Sequence, residues 1–139
     1  MGGLTSRNKG KRGEREVVKL LQSACDEVYE YYAHPAPVFE RNQMQSNLGG
    51  YDIVGLEWLA VEVKFQEQLQ PDAWWKQTTE QAGDEQIPVL FYRKSRMKWR
   101  VRMFACLLVG DNDFNEYCCD IHLQDFVNWF QCKLSNQLK

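Results

Sequence analysis

The sequence contains no apolar run approaching about 18 residues, which excludes an ordinary membrane-spanning helix. Its N-terminus is rich in Gly, Arg and Lys with no apolar segment behind it, so a secretory signal is not expected and the cytoplasm is the expected location. A CxxC pair is also missing. The five cysteines (Cys25, Cys106, Cys118, Cys119 and Cys132) are an odd number, which points to reduced thiols in a reducing compartment. Cys118, Cys119 and His122 form a fragment of a zinc pattern, but no second ligand pair stands at a suitable spacing, and small buried residues near a strand end are the better reading. No internal repeat, low-complexity tract or long linker divides the chain. Its 139 residues therefore read as one domain, 1–139, long enough to enclose a core. A hydrophobic content of 44% and a charged content of 26% suit a globular protein.

The formal net charge of −2 conceals two basic blocks. Arg7, Lys9, Lys11, Arg12 and Arg15 face Glu14 alone in the first fifteen residues. Arg93, Lys94, Arg96, Lys98, Arg100 and Arg102 stand with no acid between them. The segment after Met103 is acidic. Basic clusters on a slightly acidic chain suggest a local polyanion site. A solvated loop between edge strands, where lysine deters aggregation, is the plainer alternative.

Periodicity predicts a helix over 9–25, capped by Ser6 or Asn8, with Val17, Val18, Leu20, Leu21 and Ala24 on one stripe. Glu14 precedes Val17, Val18 and Leu21 by three, four and seven positions, so it shares their face. Gly10 and Gly13 weaken this helix by about 1 kcal/mol each relative to Ala; a closely approaching backbone, a phosphodiester included, would explain them, and so would fraying. A loop over 26–36 precedes a strand over 38–43. A turn over 46–50 leads to a hairpin of 51–56 and 59–65 that reverses near Glu57. Pro71 opens a helix over 71–81. Strands follow over 87–93 and 99–104, the latter with Arg100 and Arg102 on a solvated face; 106–109 continues or follows it. A final amphipathic helix covers 122–138. The expected fold is α/β: a central mixed sheet flanked by helices, in α-β-β-β-α-β order with a further strand and a C-terminal helix.

The stretch GYDIVGLEWLAVEVKF holds Asp52, Glu62 and Lys64 inside a run that is otherwise strand core. Isolated buried charges cost several kcal/mol, so these side chains need one another or a cation. Glu62 and Lys64 lie at i and i+2 and share a face; a reversal near Glu57 puts Asp52 opposite Glu62, and inward Glu14 can reach the same spot. Crowded carboxylates raise one another's pKa or bind a metal, and oxygen-only ligands suit Mg²⁺ or Mn²⁺. Lys64 would offset charge on a pentacovalent phosphate. Glu-x-Lys alone means little, since roughly 0.7 matches arise from composition by chance; its placement carries the weight. A structural cluster, with Lys64 bridging Glu62 and Asp52 capping a turn, stays open beside this.

The segments GEREVVKLL, YDIVGLEWLAVEVKF and IPVLFYRKSRMKWRVRMF resemble the PD-(D/E)XK nuclease superfamily, and within it the Holliday junction resolvase-like branch of archaea and bacteriophages. The resemblance spans about 8–103; Tyr51 stands where the motif's name has Pro. It implies a restriction-endonuclease-like core over about 8–103, an extension over about 104–139, and metal ligands Glu14, Asp52 and Glu62 with Lys64 as the catalytic lysine. It further implies a Mg²⁺-dependent endonuclease (Mn²⁺ as substitute) that acts on four-way or branched DNA as a homodimer, phage-encoded. Phosphate contacts are then expected from Arg7, Lys9, Lys11, Arg12, Arg15, Arg93, Lys94, Arg96 and Lys98. Gln77 and Gln81 would be supporting residues on one helix face. Another nuclease of the same fold, or a binding module without catalysis, remains the alternative.

Overall fold

The computed structural model describes residues 2–43, 51–111, 113 and 116–139. Helix α1 runs Gly2–Tyr31, 30 residues and about 45 Å, well beyond the expected 9–25. It passes through Ser6 and Asn8 rather than being capped by them. Its C-terminal extension follows from Val28 and Tyr29, which pack against the core. The helix stops where Ala33 takes a positive φ of 55. His34 N–H donates to Tyr29 O and Ala33 N–H to Glu30 O, both at 3.0 Å, the two bonds of a Schellman ending built without glycine.

The sheet has six strands in sequence order: β1 (Glu40–Arg41), β2 (Ile53–Val54), β3 (Leu59–Phe65), β4 (Ile87–Arg93), β5 (Arg100–Phe104) and β6 (Cys118–His122). All neighbours are antiparallel except β3 and β4, which run parallel from Leu59↔Ile87 to Phe65↔Arg93. Helix α2 (Pro71–Gln81) makes the crossover between them, with Pro71 at its first turn as expected. Helix α4 (Leu123–Leu138) closes the chain. This mixed α/β sheet flanked by helices is consistent with the restriction-endonuclease-like core. Among the described residues no helix is long and apolar enough to cross a membrane.

Two hydrophobic layers explain why β3 is covered on both sides. Val61, Val63 and Phe65 face Val17, Leu21 and Cys25 of α1 and Phe126, Phe130 and Leu134 of α4 in the main core. Leu90 and Tyr92 join Trp74 of α2 in a smaller one. Glu62 pairs with Leu90 and Lys64 with Tyr92, so the charged pair lies on the α2 side.

Several expectations need correction. Strands 38–43 and 51–56 shrink to Glu40–Arg41 and Ile53–Val54. Residues 106–109 form a one-turn helix, α3 (Cys106–Val109), ended by Gly110 at φ 70. The last strand, β6, lies where no apolar alternation announces one; it is an edge strand with a half-exposed pattern. Arg102 is not solvated. It is 7% exposed and donates two bonds to Asp120, at 2.7 and 2.9 Å, and one to Asp72 at 2.8 Å, tying β5 to β6 and α2.

The two weak points of α1 have different causes. A Cβ on Gly13 would lie 2.9 Å from Phe65 Cβ and 3.3 Å from Trp99 Cη2, so glycine lets α1 settle on β3. Nothing stands within 4 Å of a Cβ on Gly10. Gly10→Ala is therefore expected to raise stability by about 1 kcal/mol through helix propensity. Gly13→Ala is expected to lower it by about 1 kcal/mol, because overpacking outweighs the same gain. Urea titrations of both variants check the contrast; equal shifts would contradict it.

Candidate active site

The reversal after β2 sets the register Ile53↔Val61, the pairing expected from a turn near Glu57. Asp52 is thereby placed opposite Glu62. Its N–H donates to Val61 O at 2.9 Å, and its carboxylate accepts Val63 N–H at 2.8 Å. Its carbonyl accepts Asn42 N–H at 2.7 Å. Backbone bonds to both neighbouring strands thus fix Asp52 at 5% exposure.

Glu62 is 2% exposed and its carboxyl lies within hydrogen-bonding reach of Asp52. Lys64 Nζ stands 3.6 Å from Glu62 Oε1 and is half-buried. Burial first, then the Asp52 charge, pushes Glu62 up to about 8, against the pull of Lys64. A carboxyl so raised is short of positive charge, the condition a bound cation relieves.

Glu14 comes in from α1. Its Oε1 accepts Arg41 Nε at 2.8 Å. Burial raises its pKa, the Arg41 hydrogen bond opposes this, and the Asp52 charge adds to it. Glu14, Asp52, Glu62 and Lys64 line one cleft of about 210 Å³, together with Gly10 and Gln77. The four residues singled out from sequence are therefore brought together. They do not form a ready three-ligand cage: among the described residues no three Asp, Glu, His or Cys side chains are grouped to hold a metal. Asp52 and Glu62 form the close pair, and Glu14 is held by Arg41. Gln77 is on the cleft wall; Gln81 is not part of that lining. The turn expected over 46–50 lies outside the described residues.

Arg41 was not singled out from sequence. It is the only Lys or Arg between Lys19 and Lys64, in a stretch with seven acids, and that isolation was the available signal.

The basic residues divide. Arg7, Lys11, Arg15, Lys94, Arg96 and Lys98 are exposed. Lys9 pairs with Glu67 at 3.1 Å and Arg12 with Glu16 at 3.1 Å. Arg93 departs from the expectation of a surface cation: it is 8% exposed, bonded to Glu16, and stacked on Phe65 at 3.9 Å.

Asp52 just ahead of β2, the Glu62-x-Lys64 pair of β3 and the helix-borne Glu14 together define the arrangement. The family model described as "Phage putative PDDEXK endonuclease" matches residues 5–120. The chain belongs to this PDDEXK endonuclease family. No curated protein and no solved structure is significantly similar to it. The family match takes in all four cleft residues and continues past Phe104 through α3 and most of β6, further than the 8–103 expected. Helix α4 lies beyond the matched segment.

Proposed function

We propose that the chain is a metal-dependent DNA endonuclease that hydrolyses phosphodiester bonds in branched DNA, four-way junctions above all, as a phage-encoded homodimer in the cytoplasm of its host. The observation that carries this reading is Glu62, buried between Asp52 and Lys64 and pushed up to about 8 on the wall of an open cleft. The donor set fits a hard divalent cation: carboxylate oxygens without thiol or imidazole favour Mg²⁺, with Mn²⁺ as substitute. Asp52 and Glu62 would hold it, with Glu14 released from Arg41 as a third ligand. Bound there, Mg²⁺ supplies Lewis-acid polarisation of a phosphate oxygen and a lowered pKa for a water molecule.

The chain's own residues do the rest. Backbone bonds hold Asp52 still, so its carboxylate needs no reorganisation when substrate arrives. The Lys64 ammonium lies beside the reacting phosphate, where it offsets growing negative charge and orients the attacking water. Arg41 balances Glu14 in the resting protein. Symmetric cutting of a junction needs two such clefts, hence the dimer.

The test is cleavage of a labelled immobile four-way junction beside a matched linear duplex, with Mg²⁺ or EDTA, by wild type and Asp52→Asn. Paired symmetric nicks in the junction, lost with EDTA and in the variant, are the expected result. Equal cutting of both substrates would keep the nuclease and discard junction selectivity. Cutting that persists in EDTA would remove the metal from the reading. Tight binding without cutting would point to a binding module.

A further inference from the structure

The turn between β4 and β5 carries Lys94, Arg96 and Lys98, all exposed, and none is in an ion pair among the described residues. Met97 N–H donates to Lys94 O at 3.2 Å, closing a tight turn in which Arg96 sits at φ 67. That position ordinarily takes glycine or asparagine, because a Cβ is disfavoured there. A long cationic side chain in strained backbone is the kind of outlier that accompanies function.

The turn is also tied down. Glu67 Oε2 accepts both Ser95 N–H and Ser95 Oγ–H, each at 2.9 Å, and pairs with Lys9 of α1 at 3.1 Å. Next to it, Gln66 N–H donates to Arg93 O at 3.1 Å. Gln66 belongs to the wall of the active-site cleft. One exposed carboxylate thus joins the helix that carries Glu14, the end of the strand that carries Glu62 and Lys64, and a turn with three unpaired cations.

We infer that Arg96 is a DNA-backbone contact on the rim of the cleft, and that Glu67 is its positioning residue, fixing the turn so that a duplex arm meets Arg96 and the cleft together. This rests on the proposed DNA cleavage. It adds a second anchoring point, separate from the reacting phosphate, and assigns an acidic residue a role that strengthens binding to an acidic polymer.

The test is fluorescence anisotropy of a labelled linear duplex across a salt series, with Ca²⁺ in place of Mg²⁺, alongside thermal melts. The proteins are wild type, Arg96→Gly, Glu67→Ala and the double variant. Arg96→Gly is expected to keep Tm at or above the wild-type value, since glycine accepts the positive φ, while the log–log salt slope falls by about 0.9, one phosphate contact. Glu67→Ala removes a negative charge, so bulk electrostatics alone predicts tighter binding. Positioning predicts weaker binding with a slope reduced like that of Arg96→Gly, and a double variant no worse than Arg96→Gly alone. An unchanged slope in Arg96→Gly overturns the contact and leaves the nuclease reading intact. Equal or tighter binding by Glu67→Ala overturns the positioning role. Absence of DNA binding by wild type overturns the nuclease reading, and this inference with it.

Discussion

Glu62→Gln is expected to abolish DNA cleavage and, in metal-free protein above pH 8, to make the fold more stable. Both effects come from the same buried carboxyl. Its activity loss should be at least about 10²–10³-fold, the scale seen when one preorganised charge-stabilising group is lost. DNA binding should persist or improve, because an anion is removed from the place where phosphate must sit. The stability effect follows from linkage. The carboxyl ionises near an ordinary 4.5 when unfolded but near 8 when folded. Between those values the folded state holds a proton that the unfolded chain has released, so stability falls as pH rises from about 4.5 to about 8 and the loss is complete above that. Gln cannot ionise, and the variant escapes this loss. The gain at high pH should be on the order of 2–4 kcal/mol, shrinking to nothing as pH approaches 4.5. Thermal melts in EDTA across this range check the sign. Adding Mg²⁺ should raise Tm of wild type at alkaline pH and leave the variant nearly unmoved. A variant less stable than wild type at pH 8 would show that Glu62 is ionised and well solvated there, and would remove the electrostatic basis of the site.

The cleft was legible in the sequence because its geometry is local. Period two puts Glu62 and Lys64 on one face, and a turn near Glu57 brings Asp52 close to Glu62 even if the register shifts by a residue or two. Helical spacing placed Glu14 inward for the same reason. Helix α2 was legible through Pro71. What escaped depends on partners far along the chain. Arg93 and Glu16 are 77 positions apart, and Arg102 meets Asp72 and Asp120 at separations of 30 and 18. Sequence shows a charge but not its partner, so nothing in the block of 93–102 separates inward Arg93 and Arg102 from its exposed cations. Helix α1 overran its expected end because Ala33 closes a motif usually announced by glycine. Strand β6 escaped because an edge strand of Cys, Asp and His lacks the alternation by which buried strands are read.

Arg93→Ala is expected to destabilise the fold by about 2–4 kcal/mol without changing the salt slope of DNA binding. The guanidinium bonds both Glu16 oxygens, at 2.9 and 3.1 Å, and reaches Lys94 O at 3.3 Å. It lies 3.9 Å over Phe65 and 5.1 Å from the Trp99 ring. Trp99 Nε1 donates to the same Glu16 at 3.3 Å, so removing Arg93 loosens the junction of α1, β4 and the start of β5 at once. Glu16 remains 32% exposed and can regain water, which keeps the loss below that of stranding a fully buried charge. Lys cannot restore the planar stack on Phe65 or the simultaneous reach to Glu16 and Lys94 O, so Arg93→Lys should recover little of the stability. Denaturant titrations give the first quantity and the anisotropy salt series the second. Arg93 and Lys94 adjoin in the chain, so the comparison separates an inward cation that holds the fold from an outward one proposed to meet phosphate. Retained stability in Arg93→Ala with a slope lowered by about 0.9 would place the guanidinium on the DNA instead and erase that division.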